Sequence, residues 1–191
     1  MPRSRRLCTL IVALFACGGL SACGKHEATG LVRTAETEGI YLDVGDLKYQ
    51  VQVSRQFNPE DVQDKAFLEG IPRAERKLKP DEVWFGVLMR VQNTTSKAIL
   101  PASDIQITDT QDEVFKPLEL EPSNVFAYRA NVAIPAGETV PEIDSPGYDS
   151  PSRGALILFK LTLAGLNNRP LELKFESRSV PQQTGIVDLD V

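Results

Sequence analysis

Two stretches of the chain decide its fold, VWFGVLMRVQ at residues 83–92 and ALILFKLTL at residues 155–163. In residues 83–92, neighbouring positions are apolar for most of the length, so both faces of an extended segment would be apolar. A strand with two apolar faces is typical of the centre of a sheet, where both faces are buried. The sequence therefore predicts that these two stretches are the core strands of a β-sheet.

Other segments alternate between apolar and polar side chains. Leu47, Tyr49, Val51 and Val53 alternate with polar residues across 47–56, and residues 171–177 alternate in the same way. This period of two predicts strands with one buried and one solvated face. Shorter strands, separated by polar turns, are predicted at 98–100, 105–108, 114–116 and near 126–134. Seven or eight short strands with few helical signals predict an all-β fold, an antiparallel β-sandwich.

Two loops, residues 58–81 and 141–153, are longer than a sandwich needs. The first contains a helix start, with Asn58 as the predicted N-cap, Pro59 in the first turn and acidic side chains after it. Long loops in compact domains are often functional. Surface loops also vary freely without a role, and that alternative stays open here.

The amino-terminal segment has the pattern of an export signal, with three arginines in residues 1–6 followed by uncharged residues 7–20. It is too short to span a bilayer comfortably as a permanent helix. It ends in Leu20, Ser21, Ala22 and Cys23, which is similar to the bacterial lipobox. In that motif the Cys23 thiol takes a diacylglycerol, and cleavage follows Ala22. A plain secretory signal is disfavoured, because Leu20 stands where such a signal needs a small residue.

These features predict three regions: a lipoprotein signal peptide at 1–22, the lipidated Cys23 with a flexible tether at 23–39, and a sandwich domain at 40–191. The mature chain would lie on the extracytoplasmic face of the cell membrane, held by its lipid. Cys8 and Cys17 leave with the leader and Cys23 is alkylated, so no disulfide is expected.

The charge balance is acidic, with 21 Lys+Arg against 26 Asp+Glu and a net charge of −5. Removal of the leader would take away three arginines and give −8. Outside the leader, basic residues cluster only at Arg73, Arg76, Lys77 and Lys79. This composition disfavours nucleic acid as a partner.

The residues needed for common catalytic sites are scarce. His26, the only histidine, lies in the predicted tether, so no Ser–His or Cys–His pair is expected in the domain. Zinc and copper sites need several His, Cys or Met ligands, and the domain offers Met89 on a core strand. Met89 and Trp84 are interpreted as core residues. The protein is therefore predicted to be no enzyme and to carry no cofactor besides the lipid on Cys23.

Carboxylates offer one possible ligand site. Asp109 and Asp112 belong to one predicted hairpin, and Asp144 and Asp149 lie in one long loop. Carboxylate oxygens are ligands that Ca²⁺ prefers, although the spacing is not that of an EF-hand. The alternative is that these are ordinary solvated turn residues. A glycosidase acting through paired carboxylates is a more remote alternative.

Three segments carry a resemblance to a known family. Residues 82–118 read EVWFGVLMRVQNTTSKAILPASDIQITDTQDEVFKPL, residues 134–139 read IPAGET, and 153–175 contain the last strand pair. They resemble the telokin-like, immunoglobulin-like domain of uncharacterised lipoproteins and secreted antigens of Gram-positive bacteria. The resemblance implies an immunoglobulin-like, envelope-associated sandwich without established activity. The turn at 109–112 departs from the family pattern because it lacks a glycine.

The expected function is therefore binding of a protein or polymer partner in the cell envelope, through the loops at one end or an exposed strand edge. The alternative is a receptor domain for a small ligand or calcium. The Asn-Thr-Thr sequon at Asn93 is interpreted as a turn at the end of a strand.

Overall fold

The computed structural model describes residues 31–190 and consists mostly of strands in two sheets, which confirms the predicted β-sandwich. The predicted signal peptide and lipidation site, residues 1–23, lie outside the described residues. The strands are β1 (Val32–Ala35), β2 (Leu42–Val44), β3 (Leu47–Phe57), β4 (Glu82–Gln92), β5 (Asp104–Thr108), β6 (Val114–Phe115), β7 (Pro117–Leu118), β8 (Thr139–Val140), β9 (Ala155–Thr162), β10 (Leu171–Glu176) and β11 (Thr184–Leu189). Three short helices are α1 (Val62–Phe67), α2 (Pro146–Asp149) and α3 (Leu163–Asn167). Within residues 31–190, no helix has the length and apolar character needed to cross a membrane.

The first sheet has five strands in the order β1-β11-β10-β5-β6. The second has six, with β2-β3-β4-β9-β7 in a row and β8 added to β4. The predicted core strands β4 and β9 are neighbours and pair from Glu82↔Thr162 to Met89↔Ala155. The named strand pairs are antiparallel, as predicted, except β1 with β11, which is parallel.

Strand β1 lies inside the segment predicted to be a tether, residues 23–39. Its residues pair with those of β11 from Val32↔Thr184 to Ala35↔Val187. Thr37 Oγ1 then donates a 2.6 Å hydrogen bond to Asp190 Oδ2. The sandwich domain therefore begins at least eight residues before the predicted boundary at 40, because a partner about 150 residues away stabilises a strand too short to show in local periodicity.

The weaker strand predictions have mixed outcomes. Strands at 105–108 and 114–116 are confirmed within a residue, whereas 98–100 and 126–134 are not strands. These two segments touch through an isolated bridge between Ile99 and Ile134. Backbone pairing there is too short to form a ladder.

Asn93 ends β4 and serves as a structural residue. Its side chain is buried, and its Nδ2 donates to the carbonyl oxygens of Lys97, Ile134 and Pro135 at 2.6, 2.8 and 3.0 Å. The amide that a glycan would use is therefore occupied, as expected for a turn residue.

The main core lies between the two sheets. Alternate residues of β4 and β9 face the five-stranded sheet, among them Phe85, Met89 and Phe159, which are fully buried. Met89 is thus a core residue, as predicted. Burial at about 25 cal/mol per Å² of apolar surface makes this layer the main source of stability.

A second core covers the opposite face of the same two strands. Trp84, Leu88 and Leu156 pack there against Phe67 and Ile71, which come from the long loop at 58–81. Trp84 is 4% exposed, so its interpretation as a core residue is confirmed. The long loop is therefore a structural cover, and it explains why residues 83–92 are apolar on both faces.

A β-bulge between Val51 and Val53 changes which residues of β3 face inward. Tyr49 and Val51 lie in the main core, as predicted, but Val53 packs against the second core. An extra residue in one strand shifts the alternation by one position. Phe57 then lies over Gly86, where an added Cβ would come within 2.4 Å of the ring.

Helix α1 begins at Val62 with Asp61 as its N-cap, so the prediction of Asn58 is wrong. Asn58 Oδ1 instead accepts a hydrogen bond from Glu60 N at 3.0 Å and forms a turn before the helix. Asp64 connects the helix to β3. Its carboxylate accepts hydrogen bonds from both terminal nitrogens of Arg55 and from the backbone N–H of Asn58. Hydrogen bonds from Arg55 lower the pKa of the Asp64 carboxyl, against the effect of burial.

We expect Asp64→Asn to destabilise the domain by about 2–3 kcal/mol. This is less than the cost of breaking a fully buried ion pair, because the Arg55 side chain is more than a third exposed. The folded-state pKa is lowered, so the pair stabilises the fold fully above about pH 4 and this contribution is lost as the pH falls through the folded-state pKa. Urea unfolding between pH 2 and 7 measures both effects. The variant should lose less stability on acidification than the parent. Glu60→Gln, which replaces an exposed acid in the same loop, should lose as much as the parent. An unchanged pH profile in Asp64→Asn would contradict this account.

Candidate functional site

A cleft of about 400 Å³ opens between the two sheets beside the start of β5. We call it the edge cleft. Ser103 and Ile105 line one side, and residues 127–132 line the other, with Leu118 and Leu120 between them. Its walls therefore combine apolar side chains with backbone and polar groups, a composition suited to binding.

Strand β5 has a free edge at this cleft. It pairs with β10 from Asp104 to Thr108, but with β6 only at Ile107 and Thr108. Among the described residues, 104–106 have no strand partner on the side away from β10. Lys116 Nζ lies beside this edge, 3.2 Å from Asp104 Oδ1 and 2.7 Å from Gln106 Oε1. Exposed lysines are common at free strand edges, where their charge disfavours pairing with another chain.

A second cleft, of about 340 Å³, lies at the end of the sandwich. We call it the end cleft. Its polar groups come from Asp46, Ser177, Arg178 and Ser179. Arg178 Nη2 donates a 3.2 Å hydrogen bond to Asn131 Oδ1, and Asn131 lines the edge cleft. The two clefts are therefore neighbours joined by one hydrogen bond.

Two tyrosines hold the backbone between the clefts. Tyr49 Oη accepts from Ala102 N, and Tyr128 Oη donates to Ala102 O, both at 2.8 Å. Burial raises the pKa of Tyr49 to about 12, and burial raises the pKa of Tyr128 well above its ordinary value. Both phenols therefore stay protonated near neutral pH, and their contacts are those of structural residues.

Arg129 is also occupied in holding the fold. Its guanidinium donates to the carbonyl oxygens of Leu120, Glu121 and Asn124 at 2.7, 2.8 and 3.0 Å. Asn124, which is buried, in turn donates to Phe67 O and Glu69 O in the long loop. This network holds the back wall of the edge cleft to the cover of the second core.

The structure places the four calcium candidates in two separate segments. Asp109 and Asp112 lie in the β5–β6 turn, and Asp144 and Asp149 lie in or beside α2. Among residues 31–190, no three His, Cys, Asp or Glu side chains are grouped as a metal site would require. The calcium hypothesis therefore stays a prediction without a preformed ligand cluster to support it.

Asp109 has a structural role in its turn. Its Oδ1 accepts from Gln111 N and Glu113 N at 2.8 and 2.9 Å, and its Oδ2 accepts from Asn168 Nδ2 at 2.8 Å. Burial raises the pKa of this carboxyl, but these hydrogen bonds outweigh it and leave the pKa lowered. Asp112 adopts a φ of +62°, so it occupies the left-handed position that a glycine would usually take.

We expect Asp109→Ala to lower the melting temperature because it leaves two backbone donors and Asn168 without their acceptor. The decrease should be the same with Ca²⁺ and with a chelator. Asp149→Ala, at an exposed position with no such contacts, is the control. Differential scanning calorimetry gives both values, and a decrease seen only with Ca²⁺ would contradict the structural role.

A third feature was missed by sequence reasoning. The outer surface of β3 and β4 carries Gln50, Gln52, Arg90 and Gln92, with Tyr148 of α2 beside them, and we call this the glutamine face. The Arg90 guanidinium carbon lies 5.3 Å from the centre of the Tyr148 ring. The available signal was a single charged residue inside the apolar stretch 83–92.

Comparison with known proteins bears on the fold alone. No protein-family model matches the chain, and no curated protein matches it in sequence. Among solved structures, the yjhA protein from Bacillus subtilis is similar with a TM-score of 0.52 and 10% identity, over 82% of this chain and 100% of that one. A functionally unknown protein from Listeria monocytogenes EGD-e gives 0.49 and 11%, over 81% and 83%. An uncharacterised β-sandwich protein from Clostridium difficile 630 gives 0.46 and 9%, over 83% and 97%.

These structural neighbours are uncharacterised proteins of Gram-positive bacteria, which agrees with part of the resemblance read from the sequence. At 10% identity, the yjhA protein indicates a shared fold alone. An architecture of this kind hosts many functions, so activity has to be argued from the sites.

Proposed function

We propose that the protein is a lipoprotein anchored through Cys23 at the extracytoplasmic face of the cell membrane, of the telokin-like, immunoglobulin-like kind, and that it binds an envelope partner without catalysis. The observation that carries the binding function is the free edge of β5 beside the edge cleft. The lipobox-like residues 20–23 support the anchoring.

The free edge suits an extended polypeptide segment. Such a segment can pair its backbone with residues 104–106 and continue the five-stranded sheet. Alternate side chains of an extended segment point to opposite faces, so one set would enter the edge cleft. Lys116 is exposed and its ion pair with Asp104 is a surface one, so displacing it costs little.

The position of this edge fits the proposed anchor. In the five-stranded sheet β1 lies at one edge, and β5, with short β6, lies at the other. The nine residues from Cys23 to Val32 can span at most about 30 Å, so the β1 side stays near the membrane. The edge cleft lies at the opposite edge of this sheet from β1, so the anchor does not join the domain beside it.

The end cleft favours a second candidate function, a receptor for a small anionic or polar ligand. Arg178 lies there with the hydroxyl groups of Ser177 and Ser179, but these hydroxyls already bond to each other at 2.7 Å. Asp46 also lines the cleft and opposes an anion. The β5 edge therefore remains the better-supported site.

Cys23→Ala should abolish lipid attachment and leave the leader uncleaved, because the acceptor thiol is lost. Labelling with a palmitate analogue and the mass of the product measure both. Cys17→Ala, which removes a leader thiol, should behave like the parent. Labelling that persists in Cys23→Ala would overturn the anchoring proposal.

A photo-crosslinking residue at Ser103 should form discrete adducts with an envelope component in intact cells, because Ser103 is exposed at the edge cleft. The same residue placed at Glu172, exposed in the middle of the same sheet, should form none. Lys116→Glu should leave the fold intact and change the adduct yield, because Lys116 guards the edge. No adduct at Ser103, or equal adducts at both positions, would contradict binding at the β5 edge.

A further inference from the structure

The outer face of the six-stranded sheet is divided into two parts. Near the start of β4 it is apolar and lies under the loop at 58–81. Toward the end of β4 it becomes the glutamine face, where Gln50 stands opposite Arg90 and Lys48 opposite Gln92 in the strand register. This part of the sheet is polar on a surface that would otherwise need an apolar cover.

Arg90 differs from the other partly buried arginines of residues 31–190, Arg55 and Arg129. Arg55 donates to the Asp64 carboxylate, and Arg129 donates to three carbonyl oxygens. Within this described range, the Arg90 side chain has no hydrogen bond and no ion pair, and its Nε is buried without an acceptor. The guanidinium lies over the Tyr148 ring with its hydrogen-bonding capacity unused, and the side chain is partly exposed, so an acceptor on a ligand can reach it.

The polar side chains near Arg90 are hydrogen-bonded to one another or to Tyr41. Gln52 Nε2 donates to Gln50 Oε1, and Gln92 Nε2 donates to Tyr41 Oη at 3.1 Å. The nearby cation Lys48 is neutralised by Asp43, 2.9 Å away. Arg90 is therefore the cation on this part of the sheet that lacks a carboxylate, and it lies between Gln50 in the strand register and the ring of Tyr148.

We propose that the glutamine face binds a carboxylate-bearing glycan, with Arg90 as the receptor of the sugar carboxylate. A guanidinium and a carboxylate match in charge and in geometry, since two N–H groups can donate to two oxygens. The glutamine amides offer both donors and acceptors to sugar hydroxyls. The ring of Tyr148 offers an apolar surface to the carbon face of a sugar.

An acidic peptide fits this surface less well. Strand β3 is paired with β2 and β4, and β4 is paired on its other side with β8 and β9, so an added strand finds no free backbone between them. A ligand must therefore be recognised by side chains alone, which suits a polyhydroxylated chain better than an extended peptide. The inference rests on the proposed envelope-binding function, which it extends to a second surface separate from the edge cleft.

The test uses the full-length protein purified in a non-ionic detergent, with polygalacturonate as the acidic glycan and its fully methyl-esterified form as the neutral match. Calorimetric titration should show binding of polygalacturonate and at least tenfold weaker binding of the ester. Arg90→Gln should weaken polygalacturonate binding at least tenfold, and Arg90→Lys should weaken it less. Arg33→Gln, which removes an exposed charge on β1 in the other sheet, should bind like the parent.

Arg90→Gln is expected to fold, because it removes the buried donor that lacks a partner. Its melting temperature, measured beside each titration, should equal or exceed that of the parent. No binding of polygalacturonate by the parent, equal binding of acid and ester, equal binding by Arg90→Gln, or equally tight binding of polyglutamate would each overturn the glycan site. Adducts at Ser103 that persist in Arg90→Gln would leave the proposed partner at the β5 edge standing.

Discussion

The pairing of β4 with β9 creates the constraint that the rest of the structure has to meet. Both strands carry large apolar side chains on both faces, so a single opposing sheet can bury only half of them. The five-stranded sheet covers the inner face, and the loop at 58–81 covers the outer one together with Leu120 and Phe126. Leaving the outer set exposed would place an apolar patch on the surface, which is an aggregation hazard. The length of that loop is thus a consequence of the composition of the two central strands.

Because the outer cover is a loop, polar groups rather than a ladder hold it in place. The Arg55 contact to Asp64 fixes α1 against β3, and the Asn124 side-chain amide fixes the end of the helix at Phe67 O. Asp64 and Asn124 are buried and would be costly without their partners, so the contacts specify one position for the cover. The same network reaches Arg129 and the wall of the edge cleft, which couples the shape of the cleft to the integrity of the second core.

The sequence was informative where burial is periodic and uninformative where structure depends on distant contacts. Strands β3, β4, β9 and β10 were predicted within about a residue, since each has a long apolar or alternating pattern. The residues of β1 lie in the predicted tether because they show no local periodicity. Their pairing with β11, about 150 residues away, is what makes them a strand. The bulge that turns Val53 outward changes no local residue type and left no trace in the pattern. The candidate surfaces could not be predicted for a related reason. A free edge at residues 104–106 and an Arg90 without an acceptor depend on which residues are neighbours in space, and the sequence does not show this.

The parallel pairing of β1 with β11 also constrains the order in which the molecule can form. The first and last strands are neighbours, and the hydrogen bond from Thr37 to Asp190 joins positions 153 residues apart. Residues 184–189 supply β11, so the five-stranded sheet stays incomplete until those residues emerge. During vectorial synthesis β1 would stay unpaired until then. Loss of β11 would therefore leave both β1 and β10 without the strand that lies between them. Removal of one short segment would disrupt the pairing of two strands.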